Sequence, residues 1–168
     1  MAKYLDIKFF DDANTDDYAV GIWFSKCSHH CVGCQNKESW KDIGEEFTED
    51  TLEMILTHFE ENQSFYGNLF LTGGDPLHKD NIETSIYIAK RFKEKFGNKF
   101  PIWVWTGYTF SEIKDIEILN YIDVLIDGKY IEELRDVQLL YRGSKNQMVY
   151  RKKNNIWQEE KISCNQQV

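Results

Sequence analysis

A chain of 168 residues with 11 Phe, 9 Tyr and 5 Trp is long enough, and aromatic enough, to bury a core of its own. Its formal net charge is −8, with 28 acidic against 20 basic residues spread along the chain, which argues against nucleic acid as a partner. No apolar run approaches the roughly 18 residues of a membrane span, and the opening "MAKYLDIKFFDD" lacks the apolar stretch of a signal peptide. The expectation is a cytoplasmic protein without a membrane segment, whose thiols stay reduced.

Residues 18–26, "YAVGIWFSK", are rich in branched and aromatic side chains and read as a buried strand. The segment "CSHHCVGC", Cys27 to Cys34, follows at once, so it lies on a loop leaving the strand's C-terminal end. Residues 48–62 open on Thr48 as a cap and place Leu52, Ile55, Leu56 and Phe59 on one face, the pattern of an amphipathic helix. "NLFLTGG" (68–74) is a second strand ending in Gly73 and Gly74, and 81–97 a second helix with Asn81 as cap and Gly97 as stop. Residues 100–107 form a third strand, 109–119 a third helix and 122–128 a fourth strand. A short C-terminal extension from about residue 148 reads as a hairpin turning at Asn154 and Asn155.

This alternation predicts an α/β fold in a single domain, with a parallel sheet and right-handed crossovers. In such folds the C-terminal strand ends carry the chemistry. The cysteines, "TGGDP", "WTGY" and "DGKY" all fall on that edge.

Three readings compete for the cysteines. Structural zinc usually takes four ligands as two close pairs. Here the spacing is C-x3-C-x2-C with no second pair, His29 and His30 lie inside the first gap, and Cys164 is the only distant thiol. Buried core thiols are opposed by the polar company of Lys26, two histidines, Asn36 and Lys37. A [4Fe–4S] cluster normally takes one thiolate per iron, so three cysteines leave one iron open to an outside ligand, a catalytic feature.

At Cys27, Cys31 and Cys34 the chain resembles the radical S-adenosylmethionine enzymes. "CVGCQNKESW", "LFLTGGDPLH", "WVWTGY", "DVLIDGKY" and "RGSKNQ" stand in the order found in the family of anaerobic ribonucleoside-triphosphate reductase activating proteins, a likeness spanning roughly residues 20 to 150. The resemblance implies an incomplete (β/α) barrel with mostly parallel strands. It implies two cofactors, a [4Fe–4S] cluster on Cys27, Cys31 and Cys34, and S-adenosyl-L-methionine. The cluster cleaves S-adenosylmethionine reductively, and a glycyl radical results on the reductase large subunit, the protein substrate. An electron donor such as a flavodoxin is implied as a second partner. No catalytic residue beyond the cluster ligands is expected.

The same resemblance places Gly33, Cys34 and Gln35 at the adenine, and Gly73 and Gly74 at the methionine ammonium through open carbonyls. Asp75 adds charge there or serves as a turn residue before Pro76. Asp127 and Lys129 form an anion–cation pair, holding the methionine carboxylate or ribose, or forming a surface pair. His29 and His30 shield the cluster or face solvent. Trp103 and Trp105 share a face and are read as packing, while Arg142, Asn146 and Gln147 are assigned to partner docking. The chain departs from the family at "ANTDDYAVG", where "NGPG" and an arginine are usual, and at Gln35, where an aromatic residue is common. Alternatives are a radical enzyme acting on a small molecule or another glycyl-radical enzyme, and a non-enzymatic metal-binding module.

Overall fold

The structure, a computed structural model, describes residues 1–161. Cys164, the distant thiol, lies outside the described residues. Strands Lys3–Asp11 (β1), Ala19–Phe24 (β2), Glu45–Glu46 (β3), Asn68–Gly73 (β4), Ile102–Trp105 (β5), Val124–Asp127 (β6), Met148–Lys153 (β7) and Ile156–Glu159 (β8) form one sheet. Its order is β3-β1-β2-β4-β5-β6-β7-β8. The helices are Glu49–Glu61 (α1), Ile82–Phe96 (α2) and the single turn Phe110–Ile113 (α3). No helix among the described residues is long and apolar enough to cross a membrane.

Parallel pairing is confined to the four central strands, β2, β4, β5 and β6, so the sheet is mixed rather than mostly parallel. Both flanks are antiparallel. Connection length accounts for the β1–β2 and β7–β8 pairs, since a parallel return needs a crossover of a dozen or more residues. Only residues 12–18 join β1 to β2, and Asn154 and Asn155 alone join β7 to β8. Both asparagines have positive φ (51° and 60°), the type I′ geometry of a two-residue hairpin.

The central strands are buried on both faces, which explains their near-continuous apolar runs. On one face Val20, Ile22, Leu69, Leu71, Ile102, Val104 and Leu125 meet α1 and α2. Helix α1 starts where expected, with Thr48 Oγ1 accepting from the Thr51 N–H, and it buries Leu52, Ile55, Leu56 and Phe59. Each such side chain contributes about 1.5–3 kcal/mol. The opposite face carries Phe70, Trp103, Val124, Ile126 and Val149, with Trp23, Trp105 and Tyr141 packed on them. Trp103 and Trp105 do share a face, their rings stacked at 5.8 Å.

The expected helix over 109–119 stops after Ile113, and a 3-10 turn follows at Glu117–Asn120. Ile113 and Ile118 are both buried. They would stand about 140° apart on a continuous helix, and the extended Ile116 turns both inward.

Candidate functional site

The cysteine loop leaves the C-terminal end of β2, and Gly73–Gly74 leaves the neighbouring end of β4. Two backbone bonds and one from a serine side chain hold this region together. Gly74 N–H donates to Phe24 O (2.7 Å), Asp75 N–H to Lys26 O (2.9 Å), and Ser39 Oγ to Gly73 O (3.1 Å). The close approach the glycines allow is to the chain's own backbone. A Cβ on Gly74 would lie 2.5 Å from Lys26 O, and one on Gly73, whose φ is +96°, would lie 2.7 Å from Phe24 N. Of the two carbonyls expected to be open, Gly73 O is taken by Ser39, whereas no group among the described residues donates to Gly74 O.

Asn81 makes no cap hydrogen bond with its side chain. Fully buried, it donates through Nδ2 to Ser25 O (2.7 Å) and Asp75 O (2.8 Å), bracing the base of the cysteine loop against the glycine turn. Lys26 sits there with φ +66°, held by Asp42 (3.1 Å) and Asp80 (3.2 Å). Non-glycine residues in this conformation persist only where their surroundings over-determine them.

Asp75 lies at the centre of the assembly. His29 Nε2 stands 2.6 Å from its Oδ2, with side-chain exposures of 7% and 2%. The same carboxylate accepts from Leu77 N–H (2.8 Å), Thr106 Oγ1 (3.0 Å) and Gly107 N–H (3.0 Å). It is therefore fully occupied within the chain. The Tyr108 ring meets the imidazole edge-on at 4.7 Å, and any Cβ on Gly107 would overlap it. A single side chain thus ties the middle of the cysteine loop to the ends of β4 and β5. The other loop histidine, His30, is exposed and lies against Trp40 at 4.9 Å.

Backbone N–H groups lie near the sulfurs of Cys27 and Cys31, and one donates to that of Cys34. Burial pushes the Cys27 thiol up, opposed by the N–H groups of His29 and His30. Burial also raises Cys31, opposed by the Tyr130 N–H and the Lys129 ammonium. Asn36 N–H donates to Cys34 Sγ at 3.4 Å. Such donors favour thiolates. Among the described residues no three Cys, His, Asp or Glu side chains converge as a single ion would require. Three thiols on one loop, one for each of three irons, are a donor set of the chemistry a cluster takes.

Gly33 (φ +78°) brings the loop against Tyr130 and Glu132 of the segment after β6. Asp127 and Lys129 do not pair. Asp127 is turned inward, accepting from Phe110 N–H (2.6 Å) and Met148 N–H (3.1 Å), and its burial raises its pKa despite those donors. Lys129 stays exposed beside Cys31. In "RGSKNQ" the amides fold the loop itself: Gln147 Oε1 accepts from Gly143 N–H (2.9 Å), Gln147 Nε2 donates to Gly128 O (3.0 Å), and Asn146 Nδ2 to Lys129 O (2.7 Å).

Residues 16–150 match a family model described as a 4Fe-4S single cluster domain. A relative from Pasteurella multocida (strain Pm70), named anaerobic ribonucleoside-triphosphate reductase-activating protein, is 41% identical over 84% of this chain and 92% of its own length. Proteins of the same name from Enterobacteria phage T4 and Haemophilus influenzae are 37% and 39% identical. Each aligns over 89% of this chain, and over 94% and 97% of its own length respectively. The chain belongs to the anaerobic ribonucleoside-triphosphate reductase-activating protein family. For a member of this family the roles of His29, Ser39, Asn81 and Thr106 were not legible locally. His29 and Asp75 are 46 positions apart, and only their meeting reveals either one's part.

Proposed function

We propose that the chain is a radical S-adenosylmethionine activase that generates the glycyl radical on the large subunit of the anaerobic ribonucleoside-triphosphate reductase. When bound, the [4Fe–4S] cluster supplies the single electron that cleaves S-adenosylmethionine, chemistry that ends with a hydrogen atom removed from a glycine α-carbon. The observation that carries this reading is the placement of three thiols on one loop beside the Gly73–Gly74 turn, with the Asn36 N–H donating to Cys34.

In this reading Cys27, Cys31 and Cys34 hold the cluster as thiolates. The Gly74 carbonyl accepts from the methionine ammonium. Asp75, whose carboxylate is already filled, positions the cysteine loop through His29 instead of touching the cofactor. Lys129 is placed for the methionine carboxylate, and Gly33, Cys34 and Gln35 for the adenine. Asp127 orients the chain after β6 by fixing Phe110 and Met148. The four parallel strands, with α1 and α2 on one face, form an incomplete (β/α) barrel, one domain with β7 and β8 as its C-terminal extension. The protein acts in the cytoplasm, takes its electron from a donor such as a flavodoxin, and has no nucleic-acid partner.

The test is anaerobic reconstitution with iron and sulfide, followed by reduction in the presence of S-adenosylmethionine and the reductase large subunit. 5′-Deoxyadenosine should form, and a glycyl-radical doublet should appear by electron paramagnetic resonance. The reading fails if S-adenosylmethionine is cleaved but no reductase subunit acquires the radical.

A further inference from the structure

Tyr130 stands between the cysteine loop and the loop that carries "RGSKNQ", its ring wedged between one glycine of each. A Cβ on Gly33 would lie 3.1 Å from Tyr130 Cε1, and one on Gly143 would lie 3.0 Å from Tyr130 Cδ2. Both distances are shorter than ordinary van der Waals contact, so the ring occupies the room that each missing side chain leaves. The Tyr130 hydroxyl donates to Glu132 Oε2 (2.6 Å), and that carboxylate also lies against Gly33.

The backbone around Tyr130 is fastened to the second loop. Asn146 Nδ2 donates to Lys129 O (2.7 Å), and the Ile131 N–H donates to Ser144 Oγ (3.2 Å). The Lys145 N–H donates to Leu134 O (2.9 Å) a little further on. Both chain neighbours of Tyr130 are thus held by the 142–147 loop, while its own N–H lies near the Cys31 sulfur. Hydrogen bonds to the sulfurs and exclusion of water set the potential of an iron–sulfur centre. Close-packed groups pass a displacement on instead of absorbing it, so a rigid ring touching both loops couples their positions.

We propose that Tyr130 is a positioning residue for the cluster, its ring transmitting the placement of the 142–147 loop through Gly33 to Cys31 and Cys34. The inference rests on the activase reading, in which these cysteines hold the cluster, and it gives the "RGSKNQ" loop a part in setting the cluster's potential.

The experiment compares the reconstituted full chain in four forms: wild type, Gly143→Ala, Tyr130→Ala and the double variant. Gly143 is exposed and its φ lies outside the left-handed region, so Ala adds a methyl group against the ring without backbone strain. A redox titration followed by electron paramagnetic resonance reads the midpoint potential, and thermal melting reads stability. Gly143→Ala should disfavour reduction about tenfold, a fall of about 59 mV for a one-electron couple. The reason is that displacing the Tyr130 N–H withdraws a donor that stabilises the added negative charge. In the Tyr130→Ala background the same methyl group should change the equilibrium less than twofold, because no ring is left to carry it. A wild-type potential in Gly143→Ala overturns the proposal, even if the melting temperature falls, since packing alone would do that. An equal shift in both backgrounds overturns it too, because the methyl group would then act without the ring. A wild type that takes up no cluster overturns this inference and the activase reading together. A wild type that takes up the cluster but installs no glycyl radical counts against the activase reading alone, whereas failure of this inference shows in the potentials of the variants.

Discussion

Replacing His29 by Ala tests whether one side chain fastens the cysteine loop to the sheet. The substitution removes a hydrogen bond to a carboxylate that is 2% exposed, and bonds to charged groups contribute about 1.5–3 kcal/mol. It also removes the edge-on contact with Tyr108, about 0.5–1.5 kcal/mol for an aromatic pair. Breaking a buried ion pair outright costs about 3–5 kcal/mol. Asp75 retains the donors from Leu77, Thr106 and Gly107, so the total should fall at about 2–4 kcal/mol. Urea unfolding of the metal-free protein under reducing, anaerobic conditions, followed by circular dichroism, measures it. His30→Ala is the control, since its ring is exposed, and should cost less than about 1 kcal/mol. If the two variants unfold at the same urea concentration, the fastening role of His29 is wrong. A loss of cluster retention in His29→Ala, with His30→Ala normal, would connect the contact to the site.

Three further outcomes are expected. Replacing any one of Cys27, Cys31 or Cys34 by Ala, or stripping iron with a chelator, should abolish visible absorbance and S-adenosylmethionine cleavage. Far-UV circular dichroism should hold in each case, because the main core contains none of the three. Gly74→Val should destabilise the fold by about 1–3 kcal/mol through overpacking against Ser25 and Lys26 and should also lose S-adenosylmethionine affinity; wild-type values for both in binding and melting assays would refute the close approach. Burial, and then the Asp16 carboxylate, push the Tyr141 hydroxyl up to about 12. A folded pKa above the unfolded value of about 10 gives stability that is present below pH 10 and lost as pH rises through 12. The stability of Tyr141→Phe should therefore fall less steeply over that range than that of wild type.

The elements with strong periodicity were legible in the chain. Helix α1 with its Thr48 cap, α2 with its Gly97 stop, the four central strands and the Asn154–Asn155 turn all carry their signals within a few residues. Strand β1 was not picked out: its exposed and half-buried positions leave no buried run. The 109–119 stretch misled because helical spacing does not reveal which isoleucines must reach the core.

Local sequence therefore settled the alternation of strand and helix, the edge on which the motifs gather, and the C-x3-C-x2-C spacing. These depend on periods of two and 3.6 residues and on spacings within a single loop. Tertiary structure alone decided what the motif residues touch. Asp75 turned out to hold His29 rather than stand open, Asp127 faced inward away from Lys129, Asn81 left its helix cap to brace two loops, and Gly74 met the backbone of Lys26. Each of those contacts joins residues separated by many positions, brought together only by packing strands at about 4.8 Å in a particular order. A carboxylate reads the same in sequence whether it faces a cofactor or a buried imidazole, and the fold determines which.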